Sequence, residues 1–156
     1  MTQPTTRCLI LACGNTLRGD DGVGPWLAEW AEERLFADPR VSVLSRQQWT
    51  PDLAEELAHA HSVLFIDCSV ESDPGSVNLA PVEPASGQPL ATHHLGAAQL
   101  LALTRDLYNY QPAQAQLLTI GAGSTQLGEE FSPAVTAALP EACRMIERTV
   151  LRLLTA

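Results

Sequence analysis

The sequence predicts an α/β fold, an open sheet with helices on both faces. Short apolar runs of strand length alternate with longer amphipathic runs along the 156 residues. The runs at 8–13 and 62–66 are continuously apolar, as strands covered on both faces are. Hydrophobic residues make up 46% of the chain and charged ones 17%, a balance that suits one core and one domain over residues 1–156.

The elements follow in order. Arg7 to Ala12 reads as a buried strand, broken at once by Gly14-Asn15. Between Val23 and Ala37, the residues Val23, Trp26, Leu27, Trp30, Ala31 and Leu35 recur three or four apart, which predicts a helix ended by Pro39. Val41 to Leu44 is a second strand. Thr50-Pro51 supplies a cap and a proline at the first helical position, and Leu53, Ala54 and Leu57 carry the helix to about Ala60. Ser62 to Ile66 is a third strand, ending at Asp67. Pro74-Gly75 is a turn, Ser76 to Pro81 a short edge strand, and the proline-rich residues 82–91 a surface loop. Leu95 to Tyr108 is helical and Gln116 to Ile120 is a fifth strand. Ser132-Pro133 opens the last helix, which Pro140 is expected to kink or split. Sheets of this kind bind ligands beyond the carboxyl ends of their strands, where the strand order reverses. The segments after residues 12, 67 and 120 are therefore the places to look.

Charge narrows the function. The chain has 9 Lys+Arg against 18 Asp+Glu, a net charge of -9, and every basic residue is arginine. That excludes the basic footprint of a duplex nucleic-acid binder and a polybasic membrane patch. It also excludes a P-loop lysine and Schiff-base chemistry. No signal peptide or membrane span is readable, and Cys8, Cys13, Cys68 and Cys143 form no CxxC pair, so a cytoplasmic setting is expected. Trp26, Trp30 and Trp49 are candidates for core or contact positions.

Three segments can carry chemistry. Cys13 to Gly24 joins the first strand to the first helix and contains Asp20-Asp21. It reads equally as a glycine-rich turn with acids at a helix N-terminus or as a cation site. It lacks GxGxxG, and its carboxylates would repel a pyrophosphate. Asp67 follows an apolar strand, where an ionised group needs a partner or a metal. Thr92-His93-His94 precedes the third helix. Asp21, Asp67 and one histidine would make an O,O,N set with open positions, which suits zinc, nickel or a similar divalent ion better than calcium. Cys13 and Cys68 read best as small buried residues, with a thiol ligand or nucleophile as the alternative. His59 and His61 read as surface residues, and Ser69, Ser124 and Ser132 lack a GxSxG context.

The ordered set Gly14-Asn15-x-Leu17-x-x-Asp20-Asp21-Gly22-Val23-Gly24, Phe65-Ile66-Asp67, His93-His94-Leu95-Gly96 and Gly128-Glu129-Glu130-Phe131-Ser132-Pro133 resembles the [NiFe]-hydrogenase maturation endopeptidases. The likeness runs from about Arg7 to Leu151. It implies a three-layer α/β sandwich, phosphorylase/hydrolase-like, with a twisted, mostly parallel five-stranded sheet. It implies an aspartyl-type endopeptidase that removes the C-terminal extension of the hydrogenase large-subunit precursor after nickel insertion. Its catalytic and metal-binding residues would be Asp21, Asp67 and His93, and the divalent metal would be nickel supplied by the substrate. The partner implied is that precursor, with the enzyme a monomer or weak homo-oligomer. Asp20 or Asp21 would serve as general base. Two positions depart from the family pattern: Ala12 stands where glycine is usual, and Arg46-Gln47-Gln48-Trp49-Thr50-Pro51 replaces an Asp-Gly-Gly-Thr segment. The other readings of the residues are a non-catalytic metal-binding or chaperone module using the same acidic crevice, and a flavin- or nucleotide-binding domain.

Overall fold

A computed structural model describes residues 5–86 and 95–156. Five strands form one sheet: β1 (Thr6–Cys13), β2 (Val41–Arg46), β3 (Ala60–Ser69), β4 (Val77–Pro81) and β5 (Gln114–Gly121). Among the described residues four α-helices accompany them: α1 (Val23–Leu35), α2 (Leu53–Ala58), α3 (Ala97–Tyr108) and α4 (Pro133–Thr155). The strand order is β2-β1-β3-β5-β4, and only β4 runs antiparallel to its neighbour.

Side-chain alternation explains the three layers. Ile10 and Ala12 of β1, Leu64 and Ile66 of β3, and Leu118 and Ile120 of β5 pack under α1 and α4. Leu9 and Leu11 of β1, with Val63 and Phe65 of β3, pack under α2 and α3 on the other face. A strand buried on both faces has no polar side to offer, which is why these stretches read as unbroken apolar runs. Phe65 is fully buried, and a side chain of that size contributes about 2 kcal/mol by leaving water.

Several boundaries differ from the sequence expectation. α2 is shorter, because Pro51 and Asp52 lie in a turn and Ala60 already belongs to β3. β3 continues through Asp67 and Cys68 to Ser69, since these polar residues pair with Thr119, Ile120 and Gly121 of β5. Backbone pairing thus overrides their low strand tendency. Pro140 neither splits nor ends α4, which runs unbroken for 23 residues. Pro140 is exposed, so its ring points away from the packed face. Trp49 belongs to the core, Trp30 is half-buried and Trp26 remains 40% exposed. The expected cap at Thr92 and the histidines 93 and 94 lie outside the described residues.

The chain leaves β1 for β2 on one side, then returns to β3 on the other. The order therefore reverses between β1 and β3, and the crevice forms beyond their carboxyl ends.

Candidate functional site

A crevice of about 660 Å³ opens at this point, with Cys13, Asp21, Trp49, Asp67 and Cys68 in its walls. β1 delivers Cys13, and β3 delivers Asp67 and Cys68. Asp21 comes from a single 3-10 turn, Gly19–Gly22, between β1 and α1.

Two glycines make that turn possible. Gly14 has φ 153°, and a Cβ there would lie 1.9 Å from the Asp21 carbonyl oxygen. A Cβ on Gly24 would lie 2.3 Å from the Cys13 carbonyl oxygen. Neither position has room for a side chain, so the turn and the start of α1 press directly against the end of β1. The Asn15 amide donates to Asp21 Oδ2 at 2.7 Å and holds that carboxylate at the crevice wall.

The neighbouring Asp20 does something different. It is fully buried. Its Oδ1 accepts from the Ser132 amide at 2.7 Å. Its Oδ2 accepts from the Gly123 amide at 2.7 Å, the Ser124 amide at 2.9 Å and the Ser132 hydroxyl at 2.7 Å. Burial pushes its pKa up, but the Ser132 hydroxyl, the Ser132 amide and the other two amides outweigh that and hold it below the usual carboxylate range. Ser132 also caps α4 by accepting from the Val135 amide, so Asp20 sits at the positive end of the longest helix. Fully buried and held by these four donors, Asp20 faces the scaffold and does not line the crevice. Of the two adjacent carboxylates, Asp21 is the one that lines the crevice.

Asp67 Oδ1 accepts from the Cys68 amide at 2.8 Å and from Cys13 Sγ at 3.3 Å. The Cys13 thiol thereby helps to orient Asp67. Burial raises the pKa of Cys13 well above its usual range, with Asp67 adding to it both as a charge and as a hydrogen-bond acceptor. Burial, followed by the charges of Asp21 and Asp67, pushes Cys68 to about 12. Both thiols stay protonated, which argues against a cysteine nucleophile. All four cysteines are free thiols.

The sequence-predicted set is thus brought together in part. Asp21 and Asp67 share the crevice, and His93 lies outside the described residues. Among the described residues no group of three or more His, Cys, Asp or Glu side chains is arranged to hold a metal ion. His59 and His61 stand at the start of β3, the opposite end from the crevice.

The segment after β2 also reaches the site, with Gln47, Gln48 and Trp49 in the wall. The strand-end rule applies to β2 as well as to β1, β3 and β5, and would have drawn attention there. The Trp49 ring meets Phe65 edge-on at 5.1 Å. Its Nε1 is buried without an acceptor among the described residues, an arrangement that costs about 1–3 kcal/mol. Arg18 is exposed and is the one cationic side chain among the described wall residues.

An α/β/α sandwich with two carboxylates at its switch point defines the class of protein. Comparison with solved structures makes this more specific. The hydrogenase maturating endopeptidase HybD from E. coli superposes with a TM-score of 0.79 at 20% identity, over 94% of this chain and 93% of that one. The [NiFe] hydrogenase maturation protease HycI from Thermococcus kodakarensis gives a TM-score of 0.70 at 25% identity, over 97% and 94%. The [NiFe] hydrogenase maturation protease HybD from Thermococcus kodakarensis gives 0.69 at 25% identity, over 92% and 99%. The chain has the fold of the hydrogenase maturation proteases. No protein-family model matches it, and no curated protein matches it by sequence.

Proposed function

We propose that this chain is a peptide hydrolase of the hydrogenase maturation type. It removes the C-terminal extension of a [NiFe]-hydrogenase large-subunit precursor after nickel insertion. The observation that carries this is the pairing of Asp21 and Asp67 in one crevice, on the fold of those proteases.

The donor set suits an ion that arrives with the substrate. Two carboxylates, with His93 as the expected nitrogen donor, are fewer ligands than the four of a closed structural site. The missing ligands would come from the precursor that carries the nickel. An unloaded precursor would then fail to dock, which makes nickel the recognition token. Asp21 is the residue placed to take a proton from a water attacking the scissile carbonyl. Asp67 would hold the cargo ion from the facing wall, with Cys13 fixing its orientation. No described helix is long and apolar enough to cross a membrane.

The test is incubation of the purified protein with nickel-loaded and nickel-free precursor, read as a shift in large-subunit size. Shortening of the loaded form alone supports the reading. Asp21→Asn and His93→Ala should each abolish shortening while the circular dichroism spectrum stays native. Processing that survives both changes would sink the site assignment. A stable complex with no size change would favour a binding module instead.

A further inference from the structure

We propose that Leu17 and Leu127 form an apolar lip that docks the folded body of the protein whose tail enters the crevice. This rests on the proposed function. The two leucines are 56% and 80% exposed, on loops more than one hundred residues apart in sequence. The loops are stitched together by backbone. The Gly128 amide donates to the Leu17 carbonyl at 2.9 Å, and the Gly128 carbonyl accepts from the Gly19 amide at 2.7 Å. Arg18 and Gly128 form a parallel bridge. Behind them the Asp20 carboxylate anchors the same long loop through Gly123, Ser124 and Ser132.

Large apolar side chains on mobile loops are common and mean little. Here the backbone is held, so the leucines cannot fold inward, and little ordering entropy remains to be lost on contact. Exposed apolar residues on loops whose backbones are tied together are what a partner-binding surface presents.

The occupant follows from position and charge. Arg18 lines the crevice and Leu17, its neighbour, does not, so the lip meets what stays outside. The crevice has the volume of a drug-sized ligand, enough for a few residues of an extended tail but not for a folded protein. Glu129 and Glu130 are exposed beside Leu127, on a chain of net charge -9 without lysine. The partner face is therefore apolar and rimmed with basic residues. It belongs to the same molecule as the tail, because the lip is continuous with the crevice wall.

The experiment compares the intact protein with a Leu17→Ser/Leu127→Ser double variant on nickel-loaded precursor. The double variant should raise KM about 10-fold, about 1.4 kcal/mol shared between the two docking residues, while kcat stays within about twofold. Its melting temperature should move by no more than a few degrees, because both side chains are more exposed than buried. A second arm measures binding of nickel-loaded precursor by stopped flow, before turnover, to the protein with and without the two leucine changes. There the Kd should weaken by the same factor. Glu129→Gln/Glu130→Gln should weaken binding and flatten its salt dependence. An unchanged KM and Kd in the leucine double variant, or a loss confined to kcat, would overturn the lip. Binding without cutting by the intact protein would instead remove the proposed function and leave the lip to be judged on Kd. Absence of any binding would remove both.

Discussion

Asp20 and Asp21 are consecutive residues with opposite surroundings. Asp20 is buried against the loop after β5 and the start of α4, with four donors on its two oxygens. Asp21 lines an open crevice with one backbone donor on Oδ2. A 3-10 turn eclipses residues three apart, so neighbours point in different directions. One faces the scaffold and the other the crevice beyond the carboxyl ends of β1 and β3. A repeated residue type in a motif can therefore divide into a residue that builds the site and a residue that lines it.

That division can be broken most severely at the working end. Asp67→Asn should lower processing about 1000-fold, worth about 4 kcal/mol of barrier, with the fold intact. Single-turnover assays on nickel-loaded precursor measure it. A variant that still processes at a tenth of the normal rate would place Asp67 among the supports with Asp20. The complementary change is Asp20→Ala. It strands the amides of Gly123, Ser124 and Ser132, and should cost about 3 kcal/mol of stability. Thermal unfolding should then fall by about 10 °C for a chain of this size. An Asp20→Ala protein with native stability and no activity would show that Asp20 acts in the chemistry after all.

Asp38 marks the small end of the scale. It is partly exposed and paired with Arg40 at 2.8 Å, and hydrogen bonds from the Arg40 guanidinium and amide hold its pKa near 2. A depressed carboxylate adds stability above its ordinary pKa and loses it as pH falls toward the folded value. Asp38→Asn should therefore shift the melting temperature slightly at pH 6, and the difference should vanish between about pH 4 and pH 2. Solvent screening keeps the effect small at any pH. A shift comparable with that of Asp20→Ala would mean that burial does not govern what these carboxylates contribute.

Much of the fold was legible in the sequence because parallel strands covered on both faces are apolar without interruption. Strand ends then pointed to Asp21 and Asp67. The division of labour at Asp20-Asp21 was not legible. Its cause is a set of donors at 123, 124 and 132, and nothing local to residue 20 announces them. β3 was read short because Asp67, Cys68 and Ser69 are paired by β5 rather than by their own strand tendency. Trp49 was ambiguous because burial of one indole depends on Phe65 of a later strand.

Trp49 gives the crevice an optical reporter. A buried indole such as Trp49, whose Nε1 has no acceptor among the described residues, emits toward the blue, and an acceptor delivered to it moves the emission to the red. Trp26 is partly open to water and Trp30 lies against the opposite face of the sheet, so a soluble quencher separates the first from Trp49. Filling of the crevice can then be followed by the protein's own light, before any bond is cut.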